Sequence, residues 1–163
     1  MMRPMDAWLA IASKRDERRY APDRLPEDVV TRILDAGRLA GSSTNRQAWE
    51  FVVVSDREAL AEAVYVPDNV RTAALLVAIV AERQFDAGRA AQNMMLAAWN
   101  EGVVSCPNGI SDADASARVV GAVPAIVLSF GYAATPRDPL QRTPEEWSAR
   151  ARRKPLDEVA RRV

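Results

Sequence analysis

Two periods alternate along the chain, one of about 3.6 residues and one of unbroken apolar runs. In "LPEDVVTRILDAGRLAG", residues 25–41, Val29, Val30, Ile33, Leu34 and Gly37 recur at helical spacing. Pro26 suits the first helical position, Glu27 and Asp28 suit the positive end of the helix dipole, and Gly41 marks the stop. "PMDAWLAIASK", residues 4–14, predicts an opening helix with Trp8, Leu9, Ile11 and Ala12 near one face. "EFVVVSD" predicts a buried strand, Phe51 to Val54, and Asp56 caps a short helix, "REALAEAV". After a polar turn near Pro67, "AALLVAIV" predicts a second buried strand. "DAGRAAQNMMLAAWNEG" predicts a long helix. Its stripe of Ala87, Ala90, Ala91, Met94, Met95 and Ala98 lets another backbone approach closely, so a helix is expected against it, from this chain or a partner's. "SCPNGISD" reads as a tight turn between two helices, and "SDADASARVVG" as a helix capped at Ser111. "PAIVLSFGY" predicts a third strand, Ala125 to Phe130. "TPEEWSARAR" carries a capping box, Thr143 with Glu146, and Pro155 stops any helix from running through "RRKPLDEVARRV". The sum is one layered α+β domain over residues 1–163, with helices outnumbering strands.

Composition narrows the chemistry. At 163 residues and 48% hydrophobic the chain can bury a real core. Its formal net charge is zero, so neither nucleic acid nor an acidic membrane is an expected partner. It has no histidine, which removes Ser-His-Asp and Cys-His catalysis and any His-ligated metal. The single cysteine, Cys106, leaves no internal disulfide and no Cys-rich zinc site, and a reducing cytoplasm is the expected location. The apolar patch near the N-terminus is short and interrupted by charge, unlike a signal peptide, and "AALLVAIVA" is too short to span a bilayer.

Polar clusters remain. Lys14, Arg15, Arg18 and Arg19 crowd "SKRDERRY"; Ser42 to Gln47 line the approach to the first strand; Arg150, Arg152, Arg153 and Lys154 form a basic tail. Each has an ordinary reading. Charged runs are commonly solvated faces, Ser/Thr/Asn runs favour helix-ending loops, and Pro-Asn-Gly is a turn signal. Met94 and Met95 belong to a core, and Cys106 reads as a small buried hydrophobe. Together the clusters suggest more. Two arginine-rich groups near opposite ends of the chain could converge on one phosphate, while an amide and hydroxyl loop could bond a flat heterocycle. Such a site has no protein nucleophile or base because its ligand carries the reactivity. There is no G-x-x-x-x-G-K-[ST] and no G-x-G-x-x-G sequence to support a P-loop or Rossmann site.

In this light the chain resembles the nitroreductase family of FMN-dependent oxidoreductases. "KRDERRY", Lys14 to Tyr20, is similar to the family's R-R-S-x-R-x-[FY], and "AGSSTNRQAWEFVVV" to its A-P-S-S-x-N-x-Q-P-W followed by a strand. "DAGRAAQNMMLAA", "GVVSCPNG", "VLSFGY" and "RRKPLDEV" follow in the family's order, so the resemblance covers almost the whole chain. It implies a central mixed β-sheet flanked by helices, in an intertwined homodimer with two FMN sites at its interface. Lys14 and Arg15 match phosphate-side positions, and Arg18 a position near the flavin pyrimidine edge. Ser42, Ser43 and Asn45 match a loop supplied by the other subunit to contact the cofactor, and Gln47 either contributes to that contact or holds the loop. Asn108 and Gly109 match a turn whose backbone N–H reaches flavin N5, and Arg152 and Arg153 match tail cations on the phosphate.

The implied chemistry is ping-pong transfer of electrons from NAD(P)H through flavin N5 to a nitroaromatic, a quinone or another flavin. Asp16 stands where the family has serine, Gly41 and Ala48 where it has prolines, and "AIVAERQFDAG" passes almost directly from strand to helix where many members insert a helical excursion. These departures keep two other readings in view: a flavin carrier or sensor without efficient turnover, and a dimeric interaction module without cofactor.

Overall fold

In the computed structural model, residues 5–163 are described, so Pro4 of the expected opening helix lies outside them. Eight α-helices surround a four-stranded sheet among these residues. The strands are β1 (Trp49–Val53), β2 (Leu75–Ala81), β3 (Val104–Asn108) and β4 (Ile126–Gly131), in the order β1-β2-β4-β3. All three pairings are antiparallel, and a parallel contact is limited to the single bridge between Asp16 and Ser105. No helix among the described residues is long and apolar enough to cross a membrane.

The two central strands are covered on both faces, which explains why they read as unbroken apolar runs. Leu75, Val77 and Ile79 of β2 point into a core with Ile33 of α2 (Glu27–Arg38) and Met94 of α5 (Gln84–Asn100). Leu76 and Ala78 point the other way, toward Leu60 of α3 (Arg57–Ala61) and Val70 of α4 (Pro67–Arg71). A third cluster joins Ala10 of α1 (Ala7–Ser13) to Trp99 and Val104.

The helix expected against the small-residue stripe is α2, from the same chain. Gly37 permits that approach: a Cβ there would overlap Met94 Cε and sit 3.2 Å from Phe51 Cε2. Met94 is fully buried and cannot swing into solvent. Gly37→Leu is therefore expected to destabilise the fold by about 1–3 kcal/mol, as core overpacking does, measurable as a lower urea midpoint.

Several local expectations are corrected. "SCPNG" is not a tight turn between helices: Ser105 to Asn108 belong to β3, whose one strand neighbour among the described residues is β4, and a sheet edge tolerates Pro107. The polar turn near Pro67 is the helix α4. Of the expected face Leu9 is buried, but Trp8 and Ile11 are exposed, and α1 buries Ala10 and Ser13 beside Leu9. Pro26 is the N-cap of α2 rather than its first residue, and α2 stops at Arg38, before Gly41. α6 (Ala113–Val120) is capped by Asp112, not Ser111. The Thr143–Glu146 capping box stands at the head of α7 (Pro144–Arg150), and Pro155 caps the short α8 (Leu156–Val159).

Candidate functional site

The segment after α1 runs along the β3 edge. The Asp16–Ser105 bridge and the bond from Glu17 N–H to the Ser105 carbonyl (3.1 Å) pin its backbone there. The sequence alternation then sorts its charges. Lys14 Nζ lies 2.5 Å from Asp16 Oδ1 and 3.4 Å from Met95 Sδ. Glu17 accepts from Arg137 at 2.9 Å. Burial raises the Glu17 pKa, but the bonds from Arg137 and from the Arg18 and Arg19 backbone outweigh it and leave it below its ordinary value. Arg18 is exposed, and its side chain makes no ion pair among the described residues; it stands beside the Cys106 thiol.

Lys14, Asp16 and Arg18 all lie close enough to act on the Cys106 thiol. Burial pushes that thiol up, and the charges of Arg18 and Lys14 pull against it. The result is a buried, unreactive thiol, as expected of a small hydrophobe in a strand. Tyr20 is likewise withdrawn from acid–base work: burial drives its pKa far upward, and its hydroxyl meets Ser129 Oγ at 2.8 Å.

Two residues beyond Cys106 is Asn108, the last residue of β3. Its side chain is buried and committed to the core. Nδ2 donates to the carbonyls of Cys106 (3.1 Å) and Val127 (3.3 Å) and to Ser129 Oγ (3.0 Å), while Oδ1 accepts from Asn69 (3.0 Å). Gly109 is the exposed residue here, and its N–H has no partner among the described residues. The Tyr65 N–H donates to the Gly109 carbonyl at 3.3 Å, and the Tyr65 ring stands where a Gly109 Cβ would meet it at 3.2 Å. Nothing in the spacing of Tyr65 singled it out. The Val64–Ile110 bridge and the backbone bonds around it bring it to this turn.

Arg15 joins this edge to the C-terminal region. It donates to the carbonyls of Ala12 (2.8 Å), Lys14 (2.7 Å) and Trp147 (2.8 Å), so much of its guanidinium fastens α1 to α7. Arg15 and Arg142 both approach the Trp147 ring, with their guanidinium carbons 5.9 and 4.9 Å from its centre. The sequence reading missed both Trp147 and Arg142. Burial and then the nearby charge of Arg153 lower the Arg15 pKa. Cations from the two ends of the chain are thus brought together, a costly arrangement without an anion. Arg152, at φ 50°, and Arg153 are exposed just past α7.

The loop from Ser42 to Gln47 lies elsewhere. It precedes β1, at the opposite edge of the sheet, three strand spacings or about 14 Å from β3. Thr44, Asn45 and Gln47 all have left-handed φ, between 49° and 55°. Ser42 Oγ accepts from Gln47 N–H at 2.9 Å, while Ser43, Asn45 and Gln47 are exposed. Within one protomer this loop does not join the other candidate residues.

The donor set suits a planar, anionic ligand with its own reactivity. It offers cations, a free backbone N–H beside an aromatic ring, and no unburied thiol, histidine or activated hydroxyl. No group of three or more metal-ligating side chains occurs among the described residues. The cavity bounded by Arg15, Asp16, Glu17, Arg137 and Trp147 measures about 100 Å³, room for a few water molecules, so a tricyclic ring would lie outside it. A larger groove of about 790 Å³, beside Arg24 and Leu75, shares no residue with this cluster.

Comparison with known proteins gives these elements a context. The model of the nitroreductase family matches residues 11–84 and 78–132. A Methanothermobacter thermautotrophicus protein, provisionally named NADH dehydrogenase/NAD(P)H nitroreductase, is 27% identical over 141 residues, covering 77% of this chain and 74% of its own. A nitroreductase family protein from Clostridium difficile 630 superposes with a TM-score of 0.79 at 20% identity, over 96% of this chain and 98% of that one. A provisionally named nitroreductase from Exiguobacterium sibiricum 255-15, solved in complex with FMN, gives 0.78 at 19% identity over 98% of each chain. At those identities the structural likeness speaks for the fold.

Proposed function

The chain belongs to the nitroreductase family, and from that premise we propose that it is an FMN-dependent oxidoreductase using NAD(P)H as donor. The observation that carries this reading is the cationic segment from Lys14 to Arg18, pinned along the β3 edge that ends beside the free Gly109 N–H, with Arg15 tied to α7 just ahead of the tail cations. Bound FMN would supply hydride acceptance from NAD(P)H and delivery of electrons to a small acceptor, in the class of nitroaromatics, quinones or flavins, without a protein acid or base. The protein's part is electrostatic and positional. Arg15, Lys14 and the tail cations Arg152 and Arg153 would hold the phosphate. Arg18 would place an uncompensated positive charge where negative charge accumulates on electron uptake. Gly109 would donate its backbone N–H, while the β3 network through Asn108 fixes where that N–H points.

The reading includes a homodimer. Ser42, Ser43, Asn45 and Gln47 would complete the partner's site, a reading supported by their place at the sheet edge opposite β3. Exposed Trp8, Leu39, Phe85 and Leu156 offer apolar surface for such an interface. Subunit complementation tests this. Dimers of Arg18→Ala with Asn45→Ala, mixed and refolded, are expected to recover FMN binding in about half of the hybrid's sites, since one of the two then has both residues intact. Recovery no better than in either parent would show that the loop serves its own protomer or none.

A further inference from the structure

We propose that Asp16 is an internal competitor for the anionic group of the ligand at Lys14, so that it lowers this chain's preference for a phosphorylated flavin over its dephosphorylated form. The proposal rests on the flavin reading above. Its ground is the environment of Lys14, whose side chain is only 9% accessible. Apart from Asp16, its Nζ meets Met95 Sδ, a thioether that cannot neutralise a charge. An ammonium so withdrawn from water requires an anion. Asp16 is that anion in this structure, at 2.5 Å.

Asp16 differs from Lys14 in its freedom. Its side chain is 42% accessible, and no hydrogen bond other than that from Lys14 holds its carboxylate among the described residues. Its backbone is fixed by the bridge to Ser105, so the carboxylate can turn toward water without disturbing the strand. A phosphate arriving at Lys14 must displace that carboxylate, because two anions on one ammonium repel each other. An unphosphorylated flavin pays no such cost. Asp16 thus stabilises the ligand-free protein and opposes the phosphorylated ligand, two effects of opposite sign from one contact.

Titrating FMN and riboflavin separately into the wild type, Asp16→Asn, Lys14→Met and the double variant tests this, with the melting temperature of each ligand-free protein measured alongside. Asp16→Asn is expected to tighten FMN about tenfold, the scale of one charge-assisted hydrogen bond, with riboflavin changing less than about twofold. The same variant is expected to melt lower without ligand, and its gain in FMN affinity to shrink markedly when Lys14 is also replaced. Unchanged or weaker FMN binding by Asp16→Asn overturns the proposal, and so does an undiminished gain in the absence of Lys14. Failure of all four proteins to bind either flavin overturns the flavin reading itself, and the proposal with it.

Discussion

Asn108→Ala is expected to lower the stability of the protein by about 2–4 kcal/mol, from the small cavity it leaves and the buried polar groups it strands. The Asn69 amide loses its acceptor at 3.0 Å, and the carbonyl of Val127 loses a side-chain bond at 3.3 Å, both in a part of the core closed to water. Ser129 Oγ keeps the Tyr20 hydroxyl but loses the Asn108 amide. For a chain of this length the change corresponds to a fall in melting temperature of about 4–16 °C. Asn108→Asp should be no better, because a carboxylate cannot donate to the Cys106 and Val127 carbonyls and would bring a charge into the core. Calorimetry decides the matter. A fall of less than about 2 °C for both variants, below the range expected from these lost bonds, would mean that the network carries no stability.

The second large effect is on the ligand. Arg18→Ala is expected to weaken FMN binding about 10–100-fold, the range for losing a hydrogen bond to a charged group, and to leave the melting temperature of the ligand-free protein nearly unchanged. The second half of that expectation follows from Arg18 being exposed and without an ion pair of its own. The bound flavin should also become harder to reduce. Each 1.4 kcal/mol of lost stabilisation of a two-electron product lowers the midpoint by about 30 mV. Arg18→Lys keeps the charge and should restore most of the potential and less of the affinity, since an ammonium lacks the guanidinium's planar fork. Dissociation constants and spectroelectrochemical midpoints for the three proteins check this. Equal affinities and equal potentials would remove Arg18 from the site.

The two residues illustrate what a sequence exposes. Arg18 was legible because it sits in a dense run of cations whose order resembles a known motif. Asn108 was legible as a position but not in its role: nothing local says that its side chain turns into the core to meet Asn69, a residue 39 positions away. The same contrast runs through the fold. α2, α5, β2 and β4 were readable because each buries a continuous stripe or run, and burial writes its period into the chain. β3 was not, because Pro107 and Asn108, with Gly109 after them, read as a turn, and only the edge position makes a strand containing Pro107 tolerable. The exposure of Trp8 and Ile11 contradicts their apolar spacing for a related reason: one protomer offers them nothing to pack against. Trp147 escaped notice because its role depends on Arg15, 132 residues earlier, bonding to its carbonyl.

Asp16 was visible as a departure from the resembling motif, and the structure identifies its partner. Of the neighbouring cations it engages Lys14 rather than Arg15 or Arg18. That choice leaves Arg18 uncompensated at the rim and lets Arg15 tie the termini together.

The most direct measurement is an anaerobic absorbance spectrum of the purified protein loaded with FMN, taken before and after addition of NADH and, separately, NADPH. The account expects a perturbed flavin spectrum on binding, bleaching with at least one nucleotide, and return of the colour when a quinone is added. A protein that leaves the spectrum of added FMN unaltered, or whose bound flavin stays oxidised with both nucleotides, would contradict it.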